Sequence, residues 1–209
     1  MGWRPVYATE GDLKLAAGVS DDIDDDDISD ALEAAARIID WDTGRQFGAV
    51  AAAESREYGV AWDPTTGLWR AEIDDLMTTT NLDVVVDGSS LAASQYRLEP
   101  RNSPQEGRPW EWIMLDEATE DTLGSGPRTV DIIAIWGWVD SGDAQATPTG
   151  IKRANVQLGL RLWQRAESPL GVLGSPELGT DISLQDIDVD VARMVRPFWR
   201  LGKAQGFAG

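Results

Sequence analysis

Apolar residues recur at helical spacing through the first 50 residues of the chain. Thr9 followed by Asp12 resembles a capping box, and Gly18 predicts the end of a helix of about two turns. A longer helix is predicted over residues 27–46, because apolar positions spaced by three and four form one buried stripe. That stripe comprises Ile28, Leu32, Ala35, Ala36, Ile39 and Phe47, widened by Ile38 and Trp41.

Helical spacing returns in the last third of the chain. Pro148 stands at a helix-start position, and the residues after it predict a central helix over about 149–167. A Gly-, Pro- and Ser-rich loop follows, and a short final helix is predicted to begin at Asp186 or Asp188. It ends near Arg196, because the proline that follows cannot continue a helix.

Between these helical segments the apolar period shortens to two. The predicted strands are the two arms of a first hairpin over 54–62 and 67–73, a strand ending at the Asp87-Gly88 turn, strands containing Tyr96 and Trp110, and a strong strand over 129–138. Short strands at spacings of about ten residues are typical of a small antiparallel sandwich or barrel.

These elements predict an α+β fold, a helical core with an inserted antiparallel β-sandwich or barrel. The predicted parts are an N-terminal arm and helices (1–50), the inserted β subdomain (51–147), C-terminal helices that complete the core (148–200) and a flexible tail (201–209). No apolar run reaches the ~18 residues that a membrane span needs. We also expect no signal peptide, because no N-terminal segment joins positive charge to an apolar stretch.

The composition removes most catalytic chemistries. The chain has no cysteine and no histidine, which excludes thiolate nucleophiles, Ser-His-Asp triads and His- or Cys-ligated metals. No phosphate-binding loop is present, since Gly124-Ser125-Gly126 runs into Pro127 and predicts a turn. We therefore expect no enzyme activity, no cofactor and no metal, although carboxylate chemistry stays open.

The charge is strongly acidic and unevenly distributed. The net charge is −18, whereas a free nucleic-acid binder should be basic. Residues 1–50 carry −8 and residues 51–147 carry −12, but residues 148–209 carry +2. Such asymmetry predicts that different faces meet different partners.

Two acidic features are candidates, one for a calcium site and one for a catalytic carboxylate pair. Asp22, Asp24, Asp26 and Glu33 match four positions of a calcium-binding EF loop, but Asp27 replaces the glycine that its sharp turn needs. A solvated loop before a helix N-terminus explains the run equally well. Adjacent carboxylates also suggest a glycosidase, but no pair stands out among 36 acidic residues. Those pairs are Asp74 with Asp75, Asp116 with Glu117, and Glu120 with Asp121.

The ten tryptophans and the aromatic, basic C-terminus suggest partner contacts. Trp110 with Trp112, and Trp136 with Trp138, share strand faces, where packing in a core or an interface is favoured over sugar stacking. An exposed end with aromatics and arginine is costly unless a partner covers it or it folds back onto its own domain. The predicted partner-binding residues are Arg196, Pro197, Phe198, Trp199, Arg200, Lys203 and Phe207.

Ordered along the chain, several motifs together resemble the head-to-tail connector, or adaptor, proteins of tailed bacteriophages, particularly phages of actinobacteria. The motifs are Tyr7-Ala8-Thr9-Glu10-Gly11-Asp12-Leu13, Thr43-Gly44-Arg45-Gln46-Phe47 after an Ala-rich helix, Val130 to Trp138, Pro148 with Ile151-Lys152-Arg153-Ala154, and Arg165 to Val172 before the final helix. Each motif alone is weak, but the match covers nearly the whole chain.

The resemblance implies a non-catalytic structural protein of the virion, assembled in the host cytoplasm. Such proteins form a ring, typically a dodecamer, beneath the portal protein; the ring extends the DNA channel and receives head-closure or tail-completion proteins. In this family the C-terminal segment reaches into the portal, and the matching region here is about 195–209. We expect acidic residues of 1–143 to line the channel, so that DNA passes without binding. No membrane partner is expected.

Two other function classes remain open. The chain could be another neck or tail-completion protein, such as a tail terminator or a head-closure protein, which would contain less helix. It could also be a carbohydrate-binding module, in which exposed tryptophans stack on sugars.

Overall fold

The computed structural model describes residues 4–116, 129–140, 146–166 and 189–200. Within these ranges the chain forms four α-helices and two four-stranded antiparallel sheets, which confirms the predicted α+β class. It divides into two compact units. One is a helical unit of Met1–Phe47 with Thr147–Gly209, and the other is a β unit of Gly48–Ala146.

The helices follow the local signals closely. They are α1 (Glu10–Ala17), α2 (Asp25–Thr43), α3 (Thr149–Ala166) and α4 (Val189–Val195), which continues into a 3₁₀ turn at Arg196–Phe198. The capping box of Thr9 and Asp12 is formed, and Gly18 ends α1 in a left-handed conformation. The predicted end of α2 at residue 46 is wrong by three residues. Gly44 takes a φ of 70° and donates its N–H to the Asp40 carbonyl at 2.8 Å, which closes the helix at Thr43.

The core of the helical unit lies where α1, α2 and α3 meet. Asn155 of α3 is fully buried and donates its Nδ2 to the Leu32 carbonyl of α2 at 3.0 Å. Gly159 lets the helices approach, since a Cβ there would lie 3.0 Å from Leu32 Cδ2. Trp41 was predicted to widen the buried stripe of α2, but this prediction is wrong, because its side chain is 76% exposed.

The β unit contains eight strands in two sheets. They are β1 (Glu54–Gly59), β2 (Ala61–Asp63), β3 (Leu68–Leu76), β4 (Asp83–Val86), β5 (Ser89–Ser90), β6 (Tyr96–Glu99), β7 (Trp110–Leu115) and β8 (Thr129–Ala134). One sheet has the order β1-β8-β4-β5 and the other β2-β3-β7-β6. Alternation buries one side of the strands; in β3, for example, Ala71 and Ile73 are buried while Arg70 and Glu72 are exposed.

Two strand predictions need correction. The first hairpin is shorter than predicted, since it joins β2 to β3 and residues 54–59 pair instead with β8 in the other sheet. The strand predicted over 129–138 ends at Ala134. Gly137 beyond it takes a φ of +111° and lies so close to the Gly48 carbonyl oxygen that a Cβ would approach it to 2.0 Å. At this tight crossing any side chain at position 137 would force the backbone to shift.

Candidate partner-binding segment

The last described residues, Arg196–Arg200, fold back onto the helical unit. Pro197 lies in the 3₁₀ turn that follows α4, and the Phe198 ring then packs edge-on against Phe47, with centroids 5.6 Å apart. Phe47 in turn meets the Tyr7 ring at 5.5 Å, also edge-on. Three aromatic rings from distant parts of the chain therefore form one cluster of edge-on contacts, a geometry that aromatic pairs favour.

Polar bonds hold the same segment against the C-terminal end of α2. Arg45 donates its Nε to the Phe198 carbonyl at 2.6 Å, and the Arg200 N–H donates to the Thr43 carbonyl at 3.1 Å. The Trp199 indole donates to Asp42 Oδ2 at 3.2 Å. The bond to Thr43 satisfies a carbonyl that a helix C-terminus leaves without an intrahelical partner, so the segment serves as a cap for α2.

A partly buried polar network adjoins these aromatic rings. The Tyr7 hydroxyl donates to Asp40 and accepts the Phe47 N–H at 3.1 Å, while Arg37 pairs with Asp40 at 3.1 Å and binds the Pro5 carbonyl. Burial, reinforced by Asp40, raises the pKa of Tyr7, so its hydroxyl remains a donor. Burial also raises the pKa of Asp40, against the lowering effects of Tyr7 and Arg37.

The predicted partner-binding residues thus separate into groups. Arg196 and Pro197 are exposed, whereas Phe198, Trp199 and Arg200 are half-buried against their own unit. Lys203 and Phe207 lie outside the described residues. For positions 198–200 the structure therefore shows the folded-back arrangement that the sequence left open as an alternative. Sequence reasoning missed the residues that receive this segment, although Tyr7, Arg45 and Phe47 stand in the motifs quoted above.

The acidic run does not adopt an EF-loop arrangement. Helix α2 begins at Asp25, so Asp26 already lies in its first turn. Lys14 pairs with Asp22 at 2.9 Å and with Asp25, and these two carboxylates raise its pKa. Over the described ranges, no three acidic, histidine or cysteine side chains are grouped as a metal site would require. The run is explained by ion pairing and by negative charge at a helix N-terminus.

The carboxylate pairs that were weighed as catalytic have structural partners where they are described. Asp74 binds Arg56 at 2.7 Å and the Tyr58 hydroxyl at 2.9 Å, and Asp75 accepts the Trp138 indole N–H at 2.8 Å. Asp116 pairs with Arg97 at 3.2 Å. Glu117, Glu120 and Asp121 lie outside the described residues.

The four tryptophans that were weighed for sugar stacking are buried or covered to different degrees. Trp136 and Trp138 are buried, at 1% and 4% exposure, and Trp110 is half-buried. Trp112 borders a depression of about 470 Å³ on the β2-β3-β7-β6 sheet, but the Arg70 guanidinium stacks over its ring at 4.1 Å. A sugar would have to displace this cation–π contact before it could stack there.

Comparison with known proteins identifies the fold. A solved chain described as "Neck of empty GTA particle computed with C6 symmetry" is similar over 96% of this chain and 94% of its own, with a TM-score of 0.52 and 15% identity. At this identity the likeness establishes a shared fold, over nearly the full length of both chains. No protein-family model matches the chain, and no curated protein matches it. Along the described parts of the chain, no helix is long and apolar enough to cross a membrane.

Proposed function

We propose that this chain is a non-catalytic structural subunit of the neck of a tailed phage or phage-like particle. The observation that carries the proposal is the fold shared over nearly the full length of both chains with a component of a GTA-particle neck. The motif order that resembles phage connector proteins supports the same role independently, because it was drawn from the residues alone. The described carboxylates that could have served catalysis are engaged in structural pairs.

Within the neck, we assign the chain to the head-to-tail connector ring beneath the portal protein. A twelve-fold ring agrees with the C6 symmetry named for the similar neck, since twelve-fold symmetry contains six-fold symmetry. The ring would extend the DNA channel and join the portal to head-closure or tail-completion proteins in the virion. A net charge of −18 suits a channel wall that DNA must pass without binding.

The C-terminal segment is the proposed portal contact. Arg196 and Pro197 are exposed at the end of α4, and Lys203 and Phe207 follow the segment that caps α2. Contacts of Phe198 with Phe47, of Trp199 with Asp42 and of Arg200 with Thr43 hold the end of the described segment on the helical unit. Residues 148–209 carry the excess of positive charge, which favours an acidic portal surface.

Cryo-electron microscopy of this protein mixed with the portal ring of its own phage or phage-like particle tests the proposal. We expect a second ring stacked on the portal, with the C-terminal segment at the contact and acidic residues facing the channel. A protein that never associates with the portal, and that mass spectrometry fails to find in purified particles, would refute the neck assignment. A ring with a neutral or basic channel would refute the proposed channel wall alone.

A further inference from the structure

One outward face of the helical unit is acidic and ends in an exposed aromatic residue. On α2, Asp26, Asp30 and Glu33 follow one another by four and three residues, so they form a stripe on one side of the helix. All three are exposed, and none contacts a basic side chain in the described part of the chain. Trp41 lies about two turns further along the same side, 76% exposed. We call this surface the acidic face.

The outward face of α3 has the opposite character. Thr149–Ala166 contains no acidic residue, and its exposed side carries Arg153, Gln157, Arg161, Gln164 and Arg165. Neither Arg153 nor Arg165 meets a carboxylate of its own chain within the ranges described here. We call this surface the basic face.

The two faces cannot satisfy each other within one molecule. The buried sides of α2 and α3 pack together through the Asn155–Leu32 hydrogen bond and the close approach at Gly159. Their exposed sides are therefore turned away from each other. A protein with complementary surfaces on opposite flanks associates head to tail, and head-to-tail contacts that close on themselves produce a ring.

We propose that the acidic face of one subunit docks on the basic face of the next copy of this chain. Exposed ion pairs contribute little singly, so their role is to select partner and orientation, while Trp41 supplies buried apolar area. The inference deepens the proposed function, since it names the contact that would build the connector ring. The occupant of each face is a second copy of this chain because its own opposite flank offers the complementary charge.

Thiol cross-linking tests the contact directly, because the chain contains no cysteine of its own. The variants are Asp30→Cys, Gln157→Cys and the double variant. Each is treated with a bis-maleimide in the absence and in the presence of the portal ring. We expect a ladder of multimers from the double variant, dimers from a mixture of the single variants, and monomers from each single variant alone. Dimers from one single variant alone would instead indicate a symmetric contact and overturn the proposal.

The same samples separate the two hypotheses. A portal-bound ring that gives no ladder overturns the interface and leaves the neck assignment intact. A ladder without portal association supports the interface and counts against the portal-binding role. If neither the ladder of multimers nor portal association is observed, both the interface and the portal-binding role are overturned.

Charge reversal provides the second test. Asp30→Lys with Glu33→Lys makes both faces basic, and Arg153→Glu with Arg165→Glu makes both acidic. Each variant should self-associate at least about tenfold more weakly, because like charges then oppose across the contact. An equimolar mixture should recover assembly, since each variant now complements the other. Asp30 and Glu33 lie beyond the first turn of α2, so reversal spares the charge that favours its N-terminus.

The matched control is Glu57→Lys with Glu106→Lys, two exposed acids of the β unit whose reversal changes the net charge equally. Sedimentation velocity at low and high salt measures the association, and circular dichroism checks the folding of each variant. Reversed variants that assemble as the control does, or a mixture that fails to recover, would overturn the proposal.

Discussion

Truncation of Phe198 measures how firmly the C-terminal segment is held. Removal of a fully buried phenylalanine side chain costs ~3–5 kcal/mol. Phe198 is half-buried, and its truncation also removes the edge-on contact with Phe47, whose ring centroid is 5.6 Å away. We therefore expect Phe198→Ala to destabilise the helical unit by about 2 kcal/mol, partly through the lost aromatic pair. The Arg200 N–H bond to Thr43 should open with it.

Hydrogen–deuterium exchange and urea unfolding provide the assays. Exchange should accelerate at the Arg200 amide and at the last turn of α2 in Phe198→Ala, and the unfolding free energy should fall. Arg196→Ala is the matched control, because Arg196 is exposed on the same turn. Wild-type exchange at Arg200 together with a loss below about 0.5 kcal/mol, the range of ordinary surface substitutions, would refute the folded-back arrangement.

Three further predictions concern stability, and urea unfolding checks each. Gly137→Ala should cost about 2–4 kcal/mol, because positive φ and a backbone clash combine; Gly67→Ala, at φ +68° in open space, should cost only about 1–2 kcal/mol. Tyr7→Phe should cost about 1–3 kcal/mol, because the buried Phe47 N–H loses its acceptor; an unchanged stability would contradict the network. The Thr9 N–H, then Lys152 and the Thr9 hydroxyl, lower the pKa of Asp12 to about 2. Its contribution should therefore be present above about pH 4, vanish as pH falls through about 2, and be absent in Asp12→Asn; an identical acid profile would contradict it.

Helix boundaries were predictable because their causes are local. Thr9 and Asp12 lie within one turn of each other, and Gly18 ends α1 where a left-handed residue is needed. The end of α2 was misplaced because two glycines stood near it and the pattern alone did not select Gly44. The exposure of Trp41 was also missed. The prediction relied on its apolar character, although Trp41 lies on the polar side of the helix.

The pairing of strands and the packing site of the C-terminal segment were not predictable, because both join positions that are distant in sequence. Residues 54–59 look like one arm of a local hairpin, yet they pair with Thr129–Ala134. The Arg45 side chain and the Phe198 carbonyl that it binds are 153 residues apart in sequence. Arg45 and Phe47 stand in one of the motifs that carry the resemblance, but nothing local indicated which segment would pack against them.

The folded-back segment narrows how a portal could engage this protein. If the portal takes Phe198 and Trp199, it must first break their contacts with Phe47 and Asp42. Phe198→Ala would then gain affinity from easier release but lose the contribution of its own ring to portal binding. If the portal instead binds the folded form through Arg196 and the chain beyond Arg200, Phe198→Ala weakens binding by loosening the scaffold, and Asp42→Ala does so too. Asp42→Ala therefore separates the two modes, because it frees the Trp199 indole while keeping both aromatic rings. Tighter portal binding indicates release, and weaker binding indicates a preformed surface.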